Sequence, residues 1–265
     1  MRYFLLLCLL LTSNAFASRQ FSTNYFFDIA KGNIAGHSIL DKFGRNADID
    51  SGAPEDVWDG GGDWVAPTAA RIHNIVSTSA LDAVANSGAR TVRVYGLDAA
   101  WNHQEETVNM AGVAGVLTVN TYTMIYRMKT LTGGTDAGNV GVISAIAQVD
   151  GTTTAQISAG QNQTLMAVYM VPAGKTGYIT SMGAALNRAG SANADVELWA
   201  KPFGGVWTIK HITGVDKQGT NAFHHIFTLP MRDDFVEKTL IKIRAGATAN
   251  NTDISAHFDM ILVDN

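Results

Sequence analysis

The chain contains one cysteine, Cys8, which lies in an apolar stretch near the N-terminus. If that stretch is removed on maturation, no thiol remains, and a disulfide framework, a thiolate metal site and a cysteine nucleophile are all excluded. Charged residues are also scarce, at 16%, the net charge is −4, and no run of lysines or arginines occurs. Because nucleic-acid binding depends mostly on neutralising phosphates, we expect no nucleic-acid partner.

Catalytic signatures are missing as well. The sequence has no Gly-x-Ser-x-Gly nucleophile elbow, no phosphate-binding P-loop and no dinucleotide-binding glycine motif after a strand. Seven histidines lack the His-Glu-x-x-His spacing, and the adjacent pair His224 and His225 would point to opposite faces of a strand. We therefore expect a non-enzymatic protein with no cofactor, and structural histidines rather than a metal site. A ligand set assembled from distant strands and a hydrolase with dispersed acids stay open as alternatives.

Residues 1–17 are typical of a secretory signal peptide. Arg2 supplies a positive charge, residues 4–11 form an unbroken apolar run, and Ala-Phe-Ala at 15–17 is a small-x-small cleavage site. The run of about eight apolar residues is far shorter than the ~20 that span a bilayer as a helix. We expect secretion or passage through the cell envelope, and no stable membrane anchor in the mature chain.

The rest of the sequence is typical of an all-β protein. Glycine is frequent, with 26 residues, and short alternating or apolar segments recur between clusters of Gly, Asn and Asp. The pattern predicts an extended N-terminal arm at 18–56, a small β-domain at 57–152 and an antiparallel β-sandwich or jelly roll at 153–265. Residues 67–84 are predicted to form a short helical turn or loop. No repeat of fixed period occurs, which argues against a propeller.

Two segments of the predicted sandwich show which side chains face its core. Alternation places Phe223, Phe227 and Leu229 on an inward face and His224 on the outward one. The same period of two puts five apolar residues of the last strand on one face: Ile254, Ala256, Phe258, Met260 and Leu262.

A resemblance is carried by three segments between residues 57 and 98. They are Val-Trp-Asp-Gly-Gly-Gly-Asp-Trp at 57–64, Ser-Thr-Ser-Ala-Leu-Asp at 77–82 and Gly-Ala-Arg-Thr-Val-Arg-Val-Tyr-Gly-Leu-Asp at 88–98. Together they resemble the N-terminal module of virion structural proteins from marine tailed bacteriophages, over roughly residues 55–150. The resemblance implies a capsid-associated, decoration or fibre-like subunit, located in the virion, that forms homo-oligomers and contacts other virion proteins. Phage assembly in the cytoplasm conflicts with export by a signal peptide.

Four tryptophans are candidate interface or glycan-stacking residues: Trp58, Trp64, Trp199 and Trp207. On an exposed surface they would suit sugar stacking or a subunit contact, whereas buried rings would fill the core. Core or interface packing is favoured over ligand binding, because aromatic rings beside glycine turns commonly cover exposed backbone. The alternative function is therefore an exported carbohydrate-binding or adhesive β-sandwich protein of a bacterium, with a surface glycan as its partner.

Four acids surround the glycine triplet at 60–62: Glu55, Asp56, Asp59 and Asp63. They would either bind a cation or hold the turn through hydrogen bonds to the backbone, and the second interpretation is favoured because no full set of calcium ligands is present.

Overall fold

The computed structural model describes residues 25–188, 193–216, 222–231 and 235–265. The signal peptide predicted at 1–17 and the start of the predicted arm, at 18–24, lie outside this range. One helix, α1 (Tyr25–Ala30), and a 3₁₀ turn (Gly112–Ala114) are found among the described residues. The strands are β1 (His37–Ile49), β2 (Glu55–Asp56), β3 (His73–Ser77), β4 (Ala89–Leu97), β5 (His103–Asn109), β6 (Val116–Leu117), β7 (Met124–Gly133), β8 (Ile143–Ala147), β9 (Thr153–Ile157), β10 (Val168–Met170), β11 (Lys175–Arg188), β12 (Asn193–Lys201), β13 (Thr208–Asp216), β14 (Ala222–Met231), β15 (Leu240–Ala247) and β16 (Thr252–Asp264).

These strands form four antiparallel sheets, numbered here 1 to 4. Sheet 1 has the order β1-β16-β11-β14, and sheet 2 has the order β10-β15-β12-β13 with β2 paired to β15. Sheet 3 has the order β6-β3-β8-β9, and sheet 4 has the order β5-β4-β7. The all-β prediction is therefore confirmed.

The prediction of a jelly-roll sandwich is wrong, because the four small sheets are arranged as a ring that resembles a four-bladed propeller. The absence of a sequence repeat had argued against such a ring. Its blades, however, combine segments that are far apart in the chain: sheet 1 takes strands from 37–49, 175–188, 222–231 and 252–264. Blades assembled in this way need no repeating sequence unit, so periodicity could not reveal them.

The predicted extended arm is also corrected. Residues 37–49 form the 13-residue strand β1, which pairs with β16 along most of its length. Residues 67–84, predicted as a helical turn or loop, contain β3, a strand between β6 and β8 in sheet 3. In both segments cross-strand hydrogen bonds outweigh a weak local pattern. Paired strands also cross the predicted boundaries, because β2 pairs with β15 and β8 pairs with β9.

The alternation predicted for the last strand is confirmed. The five residues predicted to share its inward face, from Ile254 to Leu262, are buried, with exposed fractions between 0% and 5%. They face a core cluster that contains side chains of all four sheets, including Ile75, Val94, Met182 and Ile243. Three intervening residues, Ser255, His257 and Asp259, are only half-buried, so sheet 1 has a second face on which polar groups collect.

A buried carboxylate, that of Asp82, joins sheets 3 and 4. One of its oxygens accepts hydrogen bonds from the backbone N–H groups of Ala89 and Val140, each at 2.8 Å. The other accepts from the Ser77 hydroxyl at 2.6 Å and from the Gly141 N–H at 2.8 Å. The side chain therefore ties the ends of β3 and β4 to the loop before β8 with four hydrogen bonds.

His73 is a fully buried histidine in sheet 3. Its Nδ1 lies 3.0 Å from the Arg71 carbonyl oxygen and its ring packs edge-on against Tyr122. Burial lowers the pKa of His73 to about 4. An unfolded histidine has a pKa near ~6.5, so between these values the unfolded chain binds a proton that the folded chain does not. The contribution of His73 to stability is therefore present above ~6.5 and is lost as the pH falls towards 4.

Asp59 has the opposite effect over an overlapping range. Burial raises the pKa of Asp59 to about 6, despite hydrogen bonds from the backbone N–H groups of Ser158 and Leu165. The folded chain therefore takes up this proton before the unfolded chain does, and the contribution of Asp59 to stability rises as the pH falls through 6. Because the two groups offset each other, the role of His73 becomes visible only when a variant is compared with the parent.

Replacing His73 by phenylalanine is expected to remove the acid-sensitive contribution. For the parent, titration of His73 alone costs about 2 kcal/mol between pH 7 and pH 5. The His73→Phe variant keeps a ring against Tyr122, so its free energy of unfolding relative to the parent rises by that amount over the same interval. Urea unfolding followed by tryptophan fluorescence at the two pH values measures the change. The exposed His103, changed to phenylalanine, is the control, and an equal shift in this control would contradict the assignment.

Candidate functional site

The tryptophans before and after the glycine triplet are both buried. Trp58 and Trp64 are each 4% exposed, and their indole N–H groups donate to the carbonyl oxygens of Gly62 and Thr154. The Trp58 ring lies on Gly60, where a Cβ would be 2.1 Å from the ring. Gly61 and Gly62 have positive φ angles of 67° and 60°. The motif at 57–64 thus encodes a tight loop closed by an aromatic ring, and neither ring is accessible to a sugar.

Two of the acids around this loop, Asp56 and Asp63, bind the protein's own cations. Asp56 is fully buried, and its carboxylate lies 2.9 Å from Lys242 Nζ and 3.3 Å from Arg244 Nε. It also accepts a hydrogen bond from the Trp64 N–H at 2.7 Å. Burial raises the pKa of Asp56 more than the two cations lower it. Holding the Asp56 carboxylate in its charged form in the interior therefore costs free energy.

The half-buried Glu55 holds the loop through backbone hydrogen bonds, as the favoured interpretation proposed, whereas the exposed Asp63 forms an ion pair. Glu55 accepts hydrogen bonds from the N–H groups of Asp50 and Gly62. Asp63, whose side chain is 62% exposed, forms an ion pair with Arg244.

Trp199 and Trp207 lie next to the same buried ions. Both rings are half-buried and meet edge-on, with centroids 6.5 Å apart. Arg244 lies over the Trp199 ring and Lys242 over the Trp207 ring, at 5.9 and 4.7 Å from the centroids. A cation of the protein therefore covers one face of each ring. Trp199 and Trp207 thus lie in and beside sheet 2, whereas Trp58 and Trp64 lie in the loop after β2.

The candidate functional site lies elsewhere, in a groove on the solvent-facing side of sheet 1. The groove has a volume of about 520 Å³. Its apolar part combines Phe26 from α1 with Ile39, Ile226 and Ile261 from three strands. Phe26 is 50% exposed, Ile39 43% and Ile226 69%. A contiguous exposed apolar surface of this kind marks a binding or assembly surface more often than a free surface.

One end of the groove is polar. Ser181 and Asp259 line it, and the Ser181 hydroxyl donates a short hydrogen bond to the Asp259 carboxylate. Asp41 lies directly opposite Asp259 on the neighbouring strand. Partial burial and the negative charge of Asp259 raise the pKa of Asp41. The Arg127 guanidinium donates to the backbone carbonyl of Asp41, so one cation borders this acidic pair.

The two adjacent histidines of β14 point to opposite faces of sheet 1, as predicted. His224 lines the groove, with its ring centroid 5.4 Å from that of His257. His225 stacks on His211 at 5.6 Å, on the other face, and the two phenylalanines of β14 join that stack. Burial and the neighbouring His225 lower the pKa of His211. The Leu229 side chain, predicted to face inward, lies outside the described residues.

No protein-family model matches the chain, and no curated protein matches it. Among solved structures, the chain is similar to the VP2 subviral particle of infectious bursal disease virus, with 9% identity over 86% of this chain and 72% of that chain and a TM-score of 0.26. A structure of the Gx strain of the same virus has 10% identity over 86% of this chain and 73% of that chain, with a TM-score of 0.25. T=1 particles derived from this virus give 9% identity over 87% and 70%, with a TM-score of 0.22. Scores this low lie below those of proteins that share a fold, so the function rests on the chain's own residues.

No helix in the described ranges has the length and apolar character needed to cross a membrane.

The residues at the polar end of the groove could not be recognised from the sequence. His224, His257 and Asp259 are brought together only by the pairing of β16 with β11 and of β11 with β14. The one signal in the sequence was the alternation of β16, which places His257 and Asp259 on the face opposite its apolar residues. Nothing in the sequence indicated that His224 would lie two strands away on the same face.

Proposed function

We propose that this chain is a non-enzymatic structural subunit of a virus particle that assembles with copies of itself through the sheet 1 groove. The observation that carries the proposal is the groove itself, in which Phe26, Ile39 and Ile226 expose apolar surface together. Burying such surface against a second copy releases it from water, and each large side chain contributes roughly 1.5–3 kcal/mol when fully buried.

The helix beside the groove provides a complementary projection. Tyr25 and Phe27 of α1 are 44% and 52% exposed. In a two-fold contact the same patch serves on both subunits, so α1 of one copy enters the groove of the other while the reverse contact forms as well. A groove and an aromatic projection on one patch satisfy this requirement.

The assignment to a virus particle rests on the resemblance of residues 57–98 to virion structural proteins of marine tailed bacteriophages. The partners we propose are copies of this chain and other virion proteins. Closed symmetric assembly would also supply stability that a chain with a single cysteine cannot obtain from disulfides.

Glycan binding is less well supported by the geometry. Trp58 and Trp64 are buried, and protein cations lie over the rings of Trp199 and Trp207. A sugar-stacking platform needs an uncovered ring face.

Self-association is tested by sedimentation velocity over a range of concentrations. The parent chain is expected to form a discrete oligomer. Electron microscopy is expected to show closed particles. Replacing Ile226 by lysine puts a charge in the groove, and we expect the dissociation constant to rise by at least about 30-fold, the effect of losing an interface hot spot. Ile226 is exposed in the monomer, so the variant is expected to fold normally.

The matched control is Ile212→Lys. Ile212 is 54% exposed on β13 and does not line the groove. The Ile212→Lys variant is expected to associate like the parent chain. A parent chain that stays monomeric at every concentration would refute the proposal. If self-association were weakened equally in both variants, the interface would not be the groove.

A further inference from the structure

We propose that His224, His257 and Asp259 form a binding site for a divalent transition-metal ion such as Zn²⁺ at the polar end of the groove. Each residue offers one ligand atom, and the three atoms lie within 4.8 Å of one another. Two imidazole nitrogens and a carboxylate oxygen are ligands that Zn²⁺ binds readily, with a fourth position left for water. The proposal does not depend on the proposed function, because it concerns binding of an ion by a single chain.

The strand register explains why the three side chains meet. Gly183 on β11 pairs with His257 on one side and with His224 on the other. Asp259 is two residues from His257 along β16, so both side chains point to the same face of the sheet. The ligands thus come from two strands separated by one, with a glycine between the two histidines.

That glycine provides the space that the His257 ring needs. The His257 ring lies directly over Gly183, where a Cβ would be 2.3 Å from Cε1 of the imidazole. In a tetrahedral zinc site with bonds near 2.0–2.1 Å, ligand atoms are separated by about 3.3 Å. Rotating the side chains closes the remaining distance, and His224, which is exposed, is free of the core packing that would oppose it.

The surroundings of the three ligands support binding of a cation. Among the described residues, no hydrogen bond occupies the ring nitrogens of His224 or His257. Ser181, which is 5% exposed, donates to one oxygen of Asp259 and fixes the orientation of the carboxylate, as supporting residues do around metal ligands. Asp41 adds a second negative charge next to Asp259.

The test is a Zn²⁺ titration of the chain, prepared without a polyhistidine tag and treated with chelator, followed by calorimetry. We expect one ion per chain. Replacing His224 by alanine is expected to weaken binding by more than about 100-fold, because even the loss of a supporting residue costs about 10- to 100-fold. Co²⁺ in place of Zn²⁺ is expected to give visible absorption bands of a nitrogen- and oxygen-ligated site, which the variant lacks.

Three further variants distinguish Zn²⁺ binding at this site from binding by other histidines. His103→Ala removes an exposed histidine on another sheet and is expected to bind Zn²⁺ like the parent. Gly183→Ala removes no ligand but displaces the His257 ring, so it is expected to weaken binding. Ser181→Ala is expected to weaken it by a smaller factor. Because His224 is exposed, loss of binding in His224→Ala with an unchanged melting temperature of the metal-free chain cannot come from misfolding.

Two results would overturn the site. One is a parent chain that binds no Zn²⁺ at millimolar concentration. The other is a stoichiometry and affinity that stay the same in the His224→Ala and Gly183→Ala variants.

Discussion

Replacing Asp82 by asparagine is expected to lower the free energy of unfolding by about 3 kcal/mol, because hydrogen bonds to a buried charge are strong and an unsatisfied buried donor is costly. Both carboxylate oxygens accept two hydrogen bonds each. The NH₂ group of asparagine replaces one of the two carboxylate oxygens and cannot accept a hydrogen bond. In one orientation the N–H groups of Ala89 and Val140 lose their acceptor, and in the other the N–H group of Gly141 does. Asparagine has nearly the same shape as aspartate, so the loss comes from hydrogen bonding and not from a cavity.

Urea unfolding measured by far-ultraviolet circular dichroism checks this prediction. The matched control is Asp48→Asn at an exposed position on β1, which is expected to change stability by less than about 0.5 kcal/mol. Asp82→Ala is expected to cost more than Asp82→Asn, since it removes both oxygens. An Asp82→Asn variant as stable as the control would show that the four hydrogen bonds contribute nothing net.

The second large effect is expected from Asp56, at the buried ion pair. Changing it to asparagine leaves Lys242 and Arg244 without their buried counter-charge, and breaking such a pair typically costs about 3–5 kcal/mol. The parent pays for burying these charges, as the raised pKa of Asp56 indicates. Removing a second charge should therefore recover part of the loss, and the double variant Asp56→Asn, Lys242→Met is expected to be more stable than Asp56→Asn alone.

Asp63→Asn is the control for this pair, because Asp63 contacts the same arginine from an exposed position. Exposed ion pairs contribute about 0–1 kcal/mol, so its effect is expected to be small. Thermal unfolding of all four chains provides the comparison. If the Asp56→Asn and Asp63→Asn variants were equally stable, the burial of Asp56 would not explain the cost of breaking its ion pair.

Several features could be predicted from the sequence because they depend on neighbours along the chain. The alternation of β16 identified its buried face, and the adjacent positions of His224 and His225 placed them on opposite faces. Packing of Trp58 and Trp64, in the core or at an interface, was favoured because aromatic rings beside glycines cover exposed backbone, and both rings are buried. Each of these predictions rests on the period of two in a strand or on the freedom of glycine in a turn.

Other features could not be predicted because they depend on which strands pair. The sandwich prediction failed because short alternating strands fit many β architectures equally well. β1 was assigned to an arm because its pattern is irregular; it pairs with β16 only in the folded chain, where its register shifts between Asn46 and Ile49. Nothing in the sequence indicated the four hydrogen bonds of Asp82, since two of the donors, Val140 and Gly141, lie 58 and 59 residues away along the chain.

The sequence by itself determined that this protein is all-β and which side of its last strand is buried. It also identified the glycine triplet as a turn and the acids around it as part of the loop, because these properties are local. Only the tertiary structure decided that the strands form a ring of four sheets, and that two histidines and an aspartate meet beside an apolar groove. The physical reason is that hydrogen bonding between strands is the same for any pair of backbones. Packing of the whole core, and not local sequence, selects the partners.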